Sequence, residues 1–468
     1  MSLMTQSLLM EAQSLRLEGD MDGSIAILRV VISNCNADKV AADADHQITH
    51  QLWEMASYQL SLLLLQNCGR CSNQASEREA DNILMKLGYR LRLSTKAFGY
   101  PACECAVDKS SCKLKTNDEA KLPLFMIDDI LPQSFFNALR HSLRPNSRYW
   151  TDFYSKTNRQ SFASHNVSLP KSTELAYTKC IEKASSLIEQ VAIIVKHSLT
   201  QRFPSILAAT SAEVWSHRRP PDAQHQLHYD MDEIRLHIRK QRHNDECNTA
   251  ARGNKRQKGN QAEELSSTTK DLCPIISCVL TVNVPNETKT CDRCGRVGDG
   301  APTLVCNQSL LGSTRNEGWL CYPRLNRLVA FDGSLLHAVV PGIPSEVLGE
   351  DEDDYSRVTL MIGFWKDVTL SVPDKTSQCL TIGPNVPFPS SLLDEFKPIA
   401  IDENIVTKHM HAAIKNVIDP NLVRPLWTEI DQAGDCDEAA TISEKDFSGR
   451  FFLRSTDPTE IDKKVLGF

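Results

Sequence analysis

Two kinds of hydrophobic pattern divide the chain. In the first hundred residues, apolar side chains recur three and four positions apart, as at Leu8, Ala12 and Leu15, which is the period of a helix buried on one face. Two more helical patterns follow, at about 46–66 and 76–98. Residues 1–100 are therefore predicted to form an all-α region, either a plain helical bundle or a tetratricopeptide-like repeat array. No candidate ligand lies there, so we expect the rest of the chain to fold without it.

After a cysteine-bearing connector at 101–121, the pattern changes to short apolar runs separated by turn residues. The segment 122–130 is typical of an opening strand, a long helix is predicted from Ser172 to Gln201, and strand-like runs continue to about residue 372. Many short strands of this kind are typical of a sandwich or barrel. The pattern predicts an α+β domain over 122–372.

The remaining polar segments are interpreted as additions to this framework. Residues 239–271 are polar and basic without a hydrophobic period, 286–300 form a cysteine-containing hairpin, and Glu350–Asp354 is an acidic run. The basic cluster is compatible with a nuclear signal, although exposed loops commonly carry such clusters. A C-terminal extension, 373–468, mixes loops with one helix near 403–417.

Composition narrows the class of protein. The chain has 468 residues, 41% of them hydrophobic, so it can bury a sizeable core. Its net charge of -7 argues against nucleic acid as a partner, and no apolar run approaches the roughly 20 residues that cross a bilayer. The N-terminus lacks a secretory pattern, with Glu11 close to a weak apolar patch. We expect an intracellular, cytoplasmic protein whose sixteen cysteines are thiols.

Three residues have the spacing of a metal site. His228 and Asp230 are two positions apart, and residues i and i+2 of a strand point to the same face. A third candidate, His337, lies among apolar strand-formers between Leu328 and Pro341. Two imidazoles and one carboxylate form the set that suits Fe(II) and leaves coordination positions open.

An alternating strand, Arg357–Trp365, follows His337. Its alternation places Arg357 and Thr359 on one face and apolar side chains on the other. An arginine that faces a β-core needs an anion, because a buried unpaired guanidinium costs several kcal/mol. Arg357 is therefore either an anion-binding residue or a partner for the acidic run.

Alternatives exist for the metal ligands. His243 and Asp245 repeat the same spacing, but they lie in a polar insertion where no strand would hold them. Asp232 is about 13 Å from His228 on an extended strand, too far to share an ion without a turn. Taken singly, each histidine could also be an ordinary interior residue.

Taken together and in order, these motifs resemble the Fe(II)/2-oxoglutarate-dependent oxygenase superfamily, and within it the prolyl-4-hydroxylase-like branch. The resemblance covers about 122–372 and rests on His228-Tyr-Asp230, Gly298 to Val305, Phe331 to Pro341 and Arg357-Val-Thr359. It departs from the family where Ala301 replaces a frequent glycine and where the two histidines lie 109 positions apart. It implies a double-stranded β-helix core, of the jelly-roll or cupin type, with helices packed on its outer face.

The resemblance also implies an activity. His228, Asp230 and His337 would hold Fe(II) as the catalytic centre, and Arg357 with Thr359 would bind the distal carboxylate of the cosubstrate 2-oxoglutarate. Dioxygen is consumed, succinate and carbon dioxide are released, and ascorbate serves as an auxiliary reductant. The substrate is a protein side chain or a small molecule. The alternative is a non-catalytic interaction protein, a degenerate oxygenase scaffold that docks partners through its N-terminal helices.

Two weaker signals remain. Trp215, His217 and Arg219 share a strand face by alternation and are candidates for a substrate mouth, although paired arginines at 218 and 219 are commonly just a solvated strand end. Cys291 and Cys294 have metal-knuckle spacing that Cys306 and Cys321 could complete. Because the spacing to the last two is irregular, we expect incidental thiols and no structural zinc.

Overall fold

The computed structural model describes residues 3–17, 20–38, 46–71, 73–98, 122–154, 164–170, 177–220, 223–232, 235–236, 272–285, 300–312, 314–342, 356–366, 388, 390–413, 415–430, 451–459 and 461. The helices are α1 (Leu3–Leu17), α2 (Met21–Asp38), α3 (His46–Cys71), α4 (Gln74–Lys86), α5 (Thr95–Phe98), α6 (Gln133–Ser142), α7 (Tyr177–Lys183), α8 (Leu187–Leu199) and α9 (Glu403–Ala413). The strands are β1 (Leu91–Leu93), β2 (Leu124–Ile127), β3 (His165–Ser168), β4 (Ser211–Arg219), β5 (His225–His228), β6 (Ile276–Asn283), β7 (Thr303–Ser309), β8 (Thr314–Cys321), β9 (Leu328–Asp332), β10 (Leu335–Val339), β11 (Arg357–Trp365), β12 (Val417–Ile418), β13 (Asn421–Val423), β14 (Trp427–Glu429) and β15 (Phe452–Leu453). No helix within these ranges is long and apolar enough to span a membrane.

Two antiparallel sheets form the centre of the molecule. One has seven strands in the order β12-β2-β9-β6-β11-β4-β3, and the other has five in the order β13-β8-β7-β10-β5. Side chains from both sheets meet in one apolar cluster. This shared cluster includes Trp215, Val279, Val305, Trp319 and Met361. The two sheets therefore face each other, and alternate residues of their strands point into the space between them.

The outer face of the seven-stranded sheet packs against α6, α7, α8 and α9. Strand β11 shows why its sequence alternates. Val358, Leu360 and Ile362 belong to the helix-facing cluster, whereas Arg357 and Thr359 line a cavity between the sheets. The alternation predicted for Arg357–Trp365 therefore reflects the two faces of the seven-stranded sheet, one toward the helices and one toward the cavity.

The long helix predicted from Ser172 to Gln201 is wrong as a single helix. Within the described residues, helices α7 and α8 are separate, and the Ser186 hydroxyl accepts a hydrogen bond from the backbone N–H of Glu189 at 3.2 Å. The Glu189 carboxylate accepts in return from the Ser185 backbone N–H at 2.7 Å. Serine and glutamate at this spacing cap a helix start, so α8 begins here even though the hydrophobic pattern continues.

The described part of the N-terminal region contains helices α1 to α5 and one strand, β1. Strand β1 interrupts the helix predicted over 76–98, because it lies between β14 and β15 in a three-stranded sheet. Its register joins Leu93 to Trp427 and Arg92 to Phe452. A local hydrophobic period cannot predict such a strand, since both its partners lie near the other end of the chain.

The outer face of the five-stranded sheet is covered by the N-terminal helices and the C-terminal strands. Leu304, Leu336 and Val340 of this face share one hydrophobic cluster with residues of α1 to α4 and of β14 and β15. The buried Gln66 amide on α3 also donates to the Pro341 carbonyl, just after β10, at 2.8 Å. These contacts argue against a β domain that folds without residues 1–100. The boundaries at 100, 121 and 372 stay predictions.

Candidate metal centre

Strands β5 and β10 bring the three predicted ligands together. His228 ends β5 and is paired in register with His337 of β10, so their rings lie 4.2 Å apart between centroids. Asp230 follows His228 by two residues, and its Oδ1 lies 3.8 Å from His228 Nε2 and 3.6 Å from His337 Nε2. One ligand atom from each of the three side chains lies within 4.8 Å of the other two.

The backbone fixes which ring nitrogen faces the centre. His228 Nδ1 lies 2.8 Å from the Gln226 carbonyl, and His337 Nδ1 lies 3.0 Å from the Leu335 carbonyl. A carbonyl only accepts, so each Nδ1 carries the proton and each Nε2 presents its lone pair. Asp230 is oriented too, because its Oδ2 accepts a hydrogen bond from the Ser277 hydroxyl at 2.7 Å and its Oδ1 faces the imidazoles.

Electrostatics at the centre favours the metal-binding forms of His228 and Asp230 and the protonated form of His337. Burial and the neighbouring His337 lower the pKa of His228 to about 4, so this ring is neutral near pH 7. Burial alone would raise the pKa of Asp230, but the two imidazoles and Ser277 outweigh it and hold that pKa well below its usual range. Burial works to lower the pKa of His337, yet Asp230 dominates and raises it.

These residues fit a divalent transition metal. Ligand atoms at about 2.1 Å from one ion and at right angles would lie about 3 Å apart, slightly closer than the separations here. His337 Nε2 is buried and has no hydrogen-bond partner among the described residues. This is expected of an atom that acts as a metal ligand. Two imidazoles and a carboxylate on one side leave coordination positions for exogenous ligands.

Arg357 and Thr359 share a cavity with both histidines. The Arg357 side chain is 6% exposed, and its Nη1 donates to the Ala301 carbonyl at 2.6 Å. Gly300, just before Ala301, lets the chain pass close to Pro323, because a Cβ at position 300 would lie 2.8 Å from Pro323 Cγ. Thr359 lies beside His217 in the register of β11 and β4. The cavity therefore combines a metal-type donor set with a buried guanidinium and a hydroxyl.

The predicted substrate residues line the same cavity. Trp215, His217 and Arg219 all point inward from β4, and His225 joins them. Strand parity alone would turn His225 away from His228. The pairing shifts between His337 and Val339: three residues of β5 separate His225 from His228, whereas their partners on β10 are two residues apart. This bulge lets the imidazoles of His225 and His228 both reach the cavity.

Other neighbours in sequence lie elsewhere. Arg218 is on the opposite face of β4, where its side chain donates to the Pro145 carbonyl at 2.9 Å and the Ser356 hydroxyl at 3.2 Å. Asp232 is buried in its own loop and accepts a hydrogen bond from the Arg235 backbone N–H at 2.8 Å. Sequence reasoning missed Ser277, although alternation along β6 offered a signal by placing this residue on the inner face.

The four-cysteine site does not assemble as suggested. Cys306 belongs to the cluster on the outer face of the five-stranded sheet, and Cys321 belongs to the cluster between the sheets. The continuous register from Thr303 to Cys306 puts these two thiols on opposite faces, so one ion cannot bind both. Cys291 and Cys294 lie outside the described residues, as do His243, Asp245 and the acidic run 350–354.

Comparison with known proteins finds a weak structural similarity and no sequence match. No family model and no curated protein matches this chain. Among solved structures, a prolyl 4-hydroxylase from Pseudomonas putida is 12% identical and aligns over 52% of this chain and 93% of its own, with a TM-score of 0.27. The non-haem α-ketoglutarate-dependent carbocyclase SnoK from nogalamycin biosynthesis is 12% identical over 58% and 91%, with a TM-score of 0.25.

A third similar structure is HygX from Streptomyces hygroscopicus, solved with nickel and 2-oxoglutarate bound. It is 10% identical over 52% of this chain and 82% of its own, with a TM-score of 0.22. The names of these three proteins describe a hydroxylase and proteins solved with, or dependent on, 2-oxoglutarate. Because every one of these TM-scores lies below 0.5, the assignment of the centre rests on its own side chains.

Proposed function

We propose that this protein is an Fe(II)- and 2-oxoglutarate-dependent dioxygenase that hydroxylates a substrate. The observation that carries the proposal is the joint geometry of the cavity. Two imidazoles whose Nδ1 protons are committed to carbonyls meet a carboxylate held by Ser277, and the same cavity contains Arg357. Iron held there would supply the oxidising chemistry, in which 2-oxoglutarate and dioxygen are consumed and succinate and carbon dioxide are formed.

The strand order supports the same proposal. From β4 to β11, eight strands are shared between the two facing sheets, with β4, β6, β9 and β11 in one and β5, β7, β8 and β10 in the other. This is the arrangement expected of a double-stranded β-helix, a jelly-roll of eight strands. The ligands then come from neighbouring strands of the smaller sheet, where the pairing of β5 with β10 fixes their spacing.

The residues of the chain divide the work. His228, Asp230 and His337 would hold the metal, and its remaining coordination positions would be open to the cosubstrate and dioxygen. Arg357 and Thr359 bind the distal carboxylate, since a guanidinium and a hydroxyl together donate several hydrogen bonds to one anion. Apolar side chains of the cavity wall exclude water from the reacting atoms. They include Trp215, Val279, Val329 and Met361.

Two measurements test the proposal. Anaerobic addition of 2-oxoglutarate to the Fe(II) protein should produce the visible metal-to-ligand charge-transfer band, and admission of air should then convert 2-oxoglutarate to succinate. A protein that binds iron but shows neither the band nor succinate, with ascorbate present and a broad substrate panel, would favour the alternative of a non-catalytic docking protein. The band needs no substrate, so it separates cosubstrate binding from turnover.

A further inference from the structure

A second cavity adjoins the metal centre on the side of the N-terminal helices. In the antiparallel pairing of β5 with β10, His225 is opposite Val339, and both residues line the cavity of the metal centre. Gln224, just before His225, and Pro341, two residues after Val339, line the second cavity instead. The two cavities therefore meet at one end of the β5–β10 pair.

Helices α1 and α3 form the opposite wall of this second cavity. Gln59 and Gln66 of α3 line it together with Gln13 of α1. Gln66 is buried, and its amide donates to the Pro341 carbonyl at 2.8 Å, which fixes α3 against the end of β10. Gln13 is exposed, so the cavity reaches solvent at this side chain. A ligand can thus enter between the N-terminal helices and the β region.

The lining of the second cavity is rich in amides and nearly uncharged. Four of the described lining residues are glutamines, none is acidic, and Arg16 is the only charged one. Arg16 already interacts within the chain. Apolar side chains complete the wall, among them Ala12, Leu62 and Leu63. Because an amide both donates and accepts hydrogen bonds, this lining complements another carboxamide better than it complements an ion.

One hydrogen-bond acceptor of this cavity has no partner. Gln224 Oε1 is buried, and no described residue donates a hydrogen bond to it. Buried polar atoms are normally paired, because an unpaired one has lost its hydrogen bonds to water. The cavity has a volume of about 50 Å³, several times the roughly 10–15 Å³ that one water needs. The site therefore has both an open acceptor and room for a group larger than water.

We infer that the second cavity binds a carboxamide group of a polypeptide substrate, either an Asn or Gln side chain or a peptide bond. The ligand N–H donates to Gln224 Oε1, and the ligand carbonyl accepts from the Gln59 amide. Strand β5 separates Gln224 from His228 by four residues, a length of about 13 Å. A polypeptide of four or five extended residues spans this length, so the carboxamide lies about four residues from the hydroxylated position. This role in hydroxylation rests on the proposed function.

The first experiment measures carboxamide binding without turnover. The full-length protein, labelled with nitrogen-15 glutamine and kept with diamagnetic Zn(II) in place of iron, is titrated with one probe at a time and followed by NMR. Acetamide represents a side chain, N-methylacetamide represents a peptide bond, and acetate tests for an anion site at Arg16. We expect an amide to shift the side-chain NH₂ signals of Gln59 and Gln66 saturably, and the tighter amide identifies the bound group. Acetate should bind at least about tenfold more weakly, because the lining offers acceptors as well as donors.

Variants locate the binding within the cavity. Gln224→Leu should weaken amide binding about tenfold, as expected when a buried hydrogen bond is lost. Gln59→Leu should have a similar effect from the opposite wall, so the test does not depend on the folding of one variant. Gln51→Leu is the matched control, since Gln51 is an exposed glutamine of the same helix α3, and it should leave the affinity within about twofold.

Three results would overturn the inference: neither amide binds, acetate binds as tightly as the amides, or Gln224→Leu and Gln59→Leu weaken binding no more than Gln51→Leu does. A second experiment tests the link to the metal centre. Mn(II) accepts the same nitrogen and oxygen ligands as Fe(II) and is strongly paramagnetic, so it should broaden the signals of the bound amide.

Bound Mn(II) that leaves the amide signals sharp would overturn the role of the second cavity as a substrate site. If metal analysis shows that neither Zn(II) nor Mn(II) binds, the proposed function fails instead. The amide titration then still decides whether the cavity binds a carboxamide, so the two failures are distinguishable.

Discussion

Deletion of residues 1–98 should destabilise the β region rather than leave it intact. Strand β1 is the middle strand of the three-stranded sheet, so its removal leaves β14 and β15 without their pairing partner. Aromatic contacts add to this pairing. Tyr58 and Tyr89 pack against Phe452, and Phe98 packs against Phe451, with ring centroids 5.1 to 5.8 Å apart. The N-terminal region therefore supplies both hydrogen bonds and apolar contacts to the C-terminal strands.

The size of the effect follows from burial. Trp427, Phe451, Phe452 and Leu453 are each at most 5% exposed. Exposing a large apolar side chain costs about 1.5–3 kcal/mol, so uncovering all four costs about 6–12 kcal/mol. A whole domain is stable by about 5–15 kcal/mol. We expect the truncated protein to be insoluble or to unfold at far lower urea concentration than the full chain.

Urea unfolding followed by fluorescence measures the free energy of unfolding of the truncated and full-length proteins. Point variants of the full-length protein give reference values for large and small losses of stability. Phe452→Ala should cost about 3–5 kcal/mol, as for other buried aromatics, whereas Leu207→Ala, at a side chain 55% exposed, should change stability by less than about 0.5 kcal/mol. The reasoning would be refuted by a soluble truncated protein that unfolds cooperatively with a free energy of unfolding within about 2 kcal/mol of that of the full chain. A loss that small is typical of surface contacts.

Four further expectations concern the metal centre. His228→Ala should abolish iron binding in a dialysis and metal-analysis experiment, and His243→Ala should leave it unchanged; the reverse result would move the ligand assignment. Arg357→Ala should raise the 2-oxoglutarate concentration for half-saturation of the charge-transfer band about 10- to 100-fold with iron affinity nearly unchanged, and Arg357→Lys should recover only part, because an ammonium lacks the planar fork. Ser277→Ala should weaken iron binding about 10- to 100-fold by freeing the aspartate ligand, and an unchanged dissociation constant would remove Ser277 from the centre. The raised pKa of His337 means that a proton competes with the metal below that pKa, so iron affinity should be full at higher pH and fall about tenfold per unit as pH drops through the histidine range; a flat profile from pH 8 to 5.5 would contradict this.

The ligand positions were accessible from sequence because strand geometry is local. A histidine and an aspartate two residues apart share a face where the chain is extended, although Asp230 lies just beyond the end of β5. The alternation after Arg357 marks the face that points inward. The structure places His228 and His337 at one cavity with Arg357 and Thr359, and Asp230 lies against the two histidines. Their roles remain proposals, while their proximity follows from the register of β5 with β10 and of β4 with β11.

Features that depend on distant pairing were not accessible in this way. The bulge that turns His225 toward the cavity appears only when β5 is aligned with β10, and strand β1 appears only when the C-terminal strands are in place. The separation of Cys306 from Cys321 likewise needs the register of β7 with β8. The break at Ser186 was different, because its capping residues were visible in the sequence but were outweighed by a continuous hydrophobic pattern.

The position of β1 also constrains how the chain folds during synthesis. Its two partner strands lie roughly 330 to 360 residues downstream, so these contacts have very high sequence separation. Segments fold from the N-terminus as they leave the ribosome. The apolar surface of the N-terminal region that β14 and β15 cover is therefore exposed until those two strands have been translated. A chain that stops before Trp427 lacks both partner strands of β1, so this apolar surface stays exposed.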